Sequence, residues 1–299
     1  ETINITSRDN PLLKELRKLS SEPTAYRKTG RVWLEGDHLC SAALLRGVIP
    51  SIAVFSESFM PIAGVFIAKG AIKNIVISDK LWQDISGLES PAKMGFVVEL
   101  PSSVQITPNV ATVILDRVQD AGNVGSILRS AAAFGFKQVI ALTGTAALWS
   151  PKVLRAGMGA HFGLQLVESA GLDDLSALTV PWVVTSSHQG DFLQNLMKNK
   201  QLPQPCAWVL GHEGQGVRAE LLQQAKVSVR IGQPGGEESL NVAVCGGILL
   251  YGVREQLKRV CAGAAAVGKP VGVSVVLCAM VQLLRAVRPA RRPACGPWP

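Results

Sequence analysis

Between residues 110 and 257 lie five short, mainly apolar runs: Thr112–Leu115, Gln138–Leu142, Trp182–Ser186, Ala207–Leu210 and Lys226–Ile231. Runs of this kind suit strands buried on both faces, as in a parallel sheet covered by helices. The intervening segments supply the helices, expected at Asn123–Phe134, Pro151–Gly157, Ala219–Gln224 and Ser239–Lys258. Gly and Asn stand at the strand-to-helix turns, where open α/β sheets place ligands. The expected fold class is therefore α/β.

Residues 1–100 repeat the alternation on a smaller scale. Helices are expected at Pro11–Leu19 and Asp37–Leu45, and strands at Arg31–Leu34, Ser51–Phe55, Asn74–Ile77 and Gly95–Leu100. The expected organisation is a small α/β domain (1–100), a Pro/Ser/Asn-punctuated linker (101–110) and a larger α/β domain (111–257). Residues 258–299 are Ala/Val-rich, then Arg/Pro-rich, and read as an atypical tail outside the folded body.

Charge excludes less than it first promises. The formal net charge is +8, but seven basic residues and no acidic ones follow Leu257, which leaves +1 for residues 1–256. Bulk charge alone is no argument for nucleic acid. The six cysteines and four histidines are dispersed without a C-x-x-C pair, so neither a zinc site nor a disulfide framework is expected. The apolar stretch Val271–Ala286 is interrupted by Gln282 and Arg285 and is short for a span of about 20 residues, so no membrane role is expected. With no signal-peptide core, the expected compartment is the cytoplasm.

Three motifs carry the chemistry. The first, Leu115-Asp116-Arg117-Val118-Gln119-Asp120-Ala121-Gly122-Asn123-Val124-Gly125-Ser126-Ile127-Leu128-Arg129, follows a strand and opens a helix. Asp120 and Asn123 suit the helix start, and Arg129 meets Asn123 only if Asn123 lies in the turn before the helix. The second, Val209-Leu210-Gly211-His212-Glu213-Gly214-Gln215-Gly216, sets three glycines around a carboxylate, so backbone packs tightly against a ligand or another segment. The third, Ile231-Gly232-Gln233-Pro234-Gly235-Gly236-Glu237-Glu238-Ser239-Leu240-Asn241-Val242-Ala243-Val244, runs from a Gly/Pro loop into a helix that Ser239 is placed to cap. Each has an ordinary structural explanation when taken singly.

In order and spacing the three resemble the signature motifs of the SpoU (TrmH) family of RNA 2′-O-ribose methyltransferases, over roughly residues 112–255 and including Ser150-Pro151-Lys152-Val153-Leu154-Arg155-Ala156-Gly157. The resemblance implies a trefoil-knotted α/β domain, a homodimer, and S-adenosylmethionine held by Leu210, Gly211, Gly214, Ile231, Ser239 and Leu240. It implies Arg129 as the residue that activates or orients the ribose hydroxyl. Asn123, Glu213, Ser239 and Asn241 are the other catalytic-site polar groups, with Glu213 a candidate partner of Arg129. No metal is implied. The sequence departs from the family pattern at Ala121, His212, Gly232, Gln233 and Gly157, the last standing where serine is frequent.

The first 100 residues resemble, more weakly, the substrate-binding domain of ribosomal-RNA members of the family, which favours ribosomal over transfer RNA. Arg8, Lys14, Arg17, Lys18, Arg27, Lys28 and Arg31 outnumber Asp9, Glu15 and Glu22 by four and are candidate phosphate contacts, with Arg155 from the larger domain. Three rivals have distinct signatures. A knotted RNA-binding protein without catalysis would not need the motif side chains. A dinucleotide enzyme would carry G-x-G-x-x-G after its first strand, and a hydrolase around Ser187-His188 would need a G-x-S-x-G elbow; neither motif is present.

Overall fold

A computed structural model describes residues 2–67, 71–186, 189–235 and 239–266. The small lobe contains β1 Thr2–Ile5, α1 Pro11–Ser21, α2 Tyr26–Thr29, β2 Arg31–Glu35, α3 Asp37–Leu45, β3 Ile52–Ser56, α4 Gly64–Ile67, β4 Lys73–Ile77, α5 Asp79–Ile85 and β5 Met94–Glu99. Its sheet has the order β1-β4-β3-β5-β2, with β5 antiparallel to both neighbours. Helix α1 starts where Asn10 accepts from the Leu12 amide and Pro11 needs no partner, and it buries Leu13, Leu16 and Leu19 at helical spacing.

The large lobe contains β6 Thr112–Asp116, α6 Ala121–Phe134, β7 Gln138–Leu142, α7 Pro151–Gly157, β8 Gln165–Ala170, β9 Trp182–Thr185, β10 Asp191–Phe192, α8 Leu193–Lys198, β11 Ala207–Gly211, α9 Ala219–Gln224, β12 Val227–Arg230 and α10 Val242–Ala266. Every pairing in its sheet, ordered β10-β12-β9-β11-β6-β7-β8, is parallel. The central strands β6, β7 and β11 are buried at all five positions, as their apolar sequence requires. The ends of β6 and β11 lie side by side, Gly211 opposite Asp116, so the first two motifs leave the sheet at one place.

The two lobes share a core. Ala147 and Leu154 are buried in the same cluster as Leu13, Leu16, Trp33 and Trp82. The Tyr26 hydroxyl lies 2.6 and 2.8 Å from the two Glu168 carboxylate oxygens, and the Leu148 amide donates to the same carboxylate at 2.7 Å. Burial first, then the Glu168 charge, raises the Tyr26 pKa, so this hydroxyl keeps its proton.

Two expectations change. The last helix begins at Val242, not Ser239, and runs to Ala266, past the expected start of the tail at 258. Residues 267–299, Ser187-His188 and 236–238 lie outside the described residues. The chain divides into compact units Glu1–Tyr251 and Gly252–Pro299, the second described only along α10.

Candidate active site

Motif one enters α6 through Asp120, whose side chain accepts from the Asn123 amide at 2.7 Å. Asn123 is therefore the third residue of the helix, not part of the preceding turn. Its side chain joins all three motifs. Asn123 Nδ2 donates to Glu213 Oε1 at 3.2 Å, and Asn123 Oδ1 accepts from Asn241 Nδ2 at 3.0 Å. Glu213 also accepts from the Gln119 and Asp120 amides, each at 3.2 Å. Burial raises the Glu213 pKa, but hydrogen bonds from these backbone and side-chain donors outweigh it and hold the carboxyl below its ordinary value. Asn241 Oδ1 accepts from the Ala243 and Val244 amides at 2.9 and 3.2 Å, so Asn241, and not Ser239, caps α10.

Glu213 is thus fully engaged with motif one backbone and Asn123, and the expected Glu213–Arg129 pairing does not form. Arg129 is the ninth residue of α6, six beyond Asn123, its side chain exposed and with no ion pair or hydrogen bond among the described residues. A guanidinium in that condition is available to a ligand.

A second polar cluster was not anticipated from sequence. Asp116, at the end of β6, is fully buried. It accepts from the Arg218 amide at 2.9 Å and from Arg218 Nε at 2.7 Å, and Arg117 Nε lies 3.1 Å away. Burial alone would raise its pKa; the Arg218 and Arg117 hydrogen bonds bring it below the ordinary value. Arg117 in turn donates to Gln215 at 3.0 Å, so Asp116 and Arg117 at the end of β6 hold the loop after β11 at its middle and at its far end. The signal was present: a carboxylate closing a buried apolar strand needs a cationic partner.

Of the expected cofactor residues, Leu210 and Gly211 are buried at the end of β11, Ile231 is half-buried, and Gly214, Ser239 and Leu240 are exposed on the loops. A Cβ on Gly211 would stand 2.3 Å from Gly216 and Val217 backbone atoms, so this glycine is required by the loop folding back on itself. Gln233 Oε1, in the loop after β12, is shielded from solvent and has no partner among the described residues, an acceptor suited to an amino group. Apolar Ile231 and Leu240 on the same loop complement a purine face. The residues fit S-adenosylmethionine.

The expected RNA contacts are spread over the small lobe, apart from Arg155 on α7. Arg8 pairs with Asp84, Lys14 with Asp9, Arg31 with Glu15 and Glu99, and Arg27 with Glu168, while Arg17 donates to the Arg8 carbonyl. Lys18, Lys28 and Arg155 are exposed and make no ion pair among the described residues.

The departure at Gly157 has a packing cause. A Cβ there would stand 2.6 Å from Cε1 of His161, a fully buried ring whose Nε2 lies 2.8 Å from the Leu148 carbonyl. Gly157→Ser is expected to destabilise by about 1–3 kcal/mol through overpacking, checked by urea unfolding; wild-type stability would refute the steric account. Burial lowers the His161 pKa to about 4 against about 6.5 unfolded. The unfolded chain therefore takes up this proton first, and the stabilisation present above about pH 6.5 is lost as pH falls toward about 4. Stability measured across that window should decline, and the histidine component should vanish in His161→Gln.

A model of the SpoU rRNA Methylase family matches residues 111–251. The 23S rRNA (guanosine(2553)-2′-O)-methyltransferase RlmP of Bacillus subtilis is 31% identical over 256 residues, covering 84% of this chain and 98% of the relative. The chain belongs to the SpoU rRNA methylase family. Human mitochondrial rRNA methyltransferase 3 is 29% identical, across 81% of this chain and 73% of its own. The structure of an AdoMet-bound rRNA methyltransferase from Sinorhizobium meliloti superposes with a TM-score of 0.73 at 27% identity, over 86% of this chain and 98% of the other. The large lobe is accordingly the α/β-knot domain of a SpoU methylase, and the Asn123–Glu213–Asn241 junction is the meeting point of its motifs.

Proposed function

We propose that the protein transfers a methyl group from S-adenosylmethionine to a ribose 2′-hydroxyl of ribosomal RNA. The observation that carries this reading is the junction at Asn123, which locks the three motif segments together at the start of the helix that further along carries Arg129, exposed and with no side-chain partner among the described residues. The naming of relatives as rRNA methyltransferases supports the substrate class. Leu210, Gly211, Gly214, Ile231, Gln233, Ser239 and Leu240 would hold the cofactor, which when bound supplies the electrophilic methyl group.

The chain's own contribution is orientation and charge. A ribose hydroxyl is a weak nucleophile, and holding it in line is worth several powers of ten. Arg129 stays cationic, so it acts by fixing the ribose or its phosphate and by stabilising charge that grows on the hydroxyl oxygen. Asn123, Glu213 and Asn241 set the loops on either side of α6. Lys18, Lys28 and Arg155 are available to RNA phosphates.

We further propose a homodimer working in the cytoplasm. Val244, Ile248 and Tyr251 lie at helical spacing on α10 and are 40–53% exposed, an apolar stripe that a second copy would cover. Among the described residues no helix is long and apolar enough to cross a membrane. Sedimentation should give a dimer that Ile248→Asp dissociates; a monomeric wild type would refute it.

The reaction is tested with radiolabelled S-adenosylmethionine and transcribed large-subunit ribosomal RNA, mapping the label to a 2′-oxygen. Calorimetry should show the cofactor and its demethylated product binding near micromolar strength, about −8 kcal/mol. Cofactor binding without transfer to any RNA would favour the non-catalytic reading.

A further inference from the structure

We propose that Arg46, from the small lobe, is an RNA-binding residue that works with Arg129: together they hold a backbone phosphate of an unstacked RNA nucleotide. The proposal rests on the reading of the protein as an RNA ribose methyltransferase. Helix α3 ends at Leu45, and Arg46 closes it. Here α3 meets α6 and the turn after α7 across an open cavity of about 280 Å³, lined by Leu45, Arg46, Arg129, Ala132 and Met158 among others. Its two charged lining residues are both arginines, both are exposed, and neither side chain has an ion pair or hydrogen bond among the described residues. Two cations sharing one cavity with no acidic lining residue repel each other unless an anion lies between them.

The position of Arg46 is built rather than incidental. A Cβ on Gly163 would lie 2.7 Å from Arg46 Nη1, so the guanidinium rests on the bare backbone of the large lobe. Ala42, one turn earlier on α3, is so close to Gly159 that a Cβ there would stand 2.4 Å from its own. The small lobe therefore delivers a cation to the cavity that Arg129 also lines. The rest of the cavity suits a nucleotide better than a free anion. Leu45 is 82% and Met158 51% exposed, two apolar side chains at the rim against which a base can lie. The basic stretch Arg8–Arg31 contrasts with this site, because most of its cations are already matched by carboxylates.

The test compares wild type, Arg46→Ala and Arg46→Lys in two assays. One measures binding of a 12-nucleotide oligouridylate over a range of salt. The other measures methyl-transfer kinetics on transcribed large-subunit ribosomal RNA. Loss of one phosphate contact should flatten the log–log salt slope by about 0.7. Arg46→Ala is expected to show that change and an RNA KM raised about tenfold, with kcat within about twofold of wild type. Arg46→Lys should restore the salt slope, since it keeps the charge. An unchanged slope in Arg46→Ala, or a flattened slope that lysine does not restore, overturns the proposal. A slope that behaves as expected in a wild type inactive on RNA would support the cleft while refuting the methyl-transfer reading.

Discussion

Arg129→Ala is expected to reduce methyl transfer at saturating RNA and cofactor by about 10²–10³-fold, the usual effect of removing one preorganised charge donor. Binding of S-adenosylmethionine should be unchanged, because the cofactor loops lie after β11 and β12 while Arg129 sits two turns into α6. Folding should also be unaffected. The side chain is exposed, makes no ion pair among the described residues, and alanine is the better helix former. The combination of an inactive enzyme with wild-type calorimetry and wild-type unfolding is the informative one. Turnover retained within about tenfold would remove Arg129 from the reaction and leave it an ordinary surface cation.

The largest effect on stability is expected at Asp116. Replacing it with alanine leaves Arg218 and Arg117 facing a cavity that no carboxylate fills, and breaking a buried ion pair costs about 3–5 kcal/mol. For a folded unit of this size that corresponds to a drop of roughly 6–20 °C in the unfolding midpoint. The double variant Asp116→Ala/Arg218→Ala should be less destabilised than the sum of the single changes, because the orphaned cation is removed with its partner. Additivity would show that the contact contributes nothing specific. Acid should act on the same group. Its pKa lies below the ordinary carboxylate value when folded, so its stabilisation is complete above the unfolded value of about 3.9 and is lost as pH falls through the folded one.

Gln138–Leu142, Pro151–Gly157, Ala219–Gln224 and Asp37–Leu45 were legible to the residue; an apolar run marks the first and a Ser-Pro cap the second. The sheet edges were not. Thr2–Ile5 is largely exposed, and Gln165–Ala170 carries Glu168 and Ser169 on a strand whose pairing shifts register near its end. An edge strand needs only one apolar face, so its sequence resembles a loop.

The site shows the same division. Asn123, Glu213 and Asn241 were recognisable as a set from their order in the chain. Their partners were not, since Glu213 contacts residues ninety or more positions away. Asp116 and Arg218, 102 residues apart, went unseen for that reason. Ser239 looked like the cap of the last helix because serine caps well; two residues on, asparagine does that work and reaches Asn123 besides.

The shared core of the two lobes bears on how RNA and protein adapt to one another. Leu154 packs within the small lobe's apolar cluster, and Tyr26 is tied to Glu168. A protein that closed on its substrate would need that joint to open, exposing buried apolar surface and breaking the Tyr26–Glu168 hydrogen bonds. Deformation therefore falls on the nucleic acid. A stacked duplex would have to part with a base, whereas a loop or bulge already presents one, so the joint acts as a filter for RNA that is locally unpaired before it arrives.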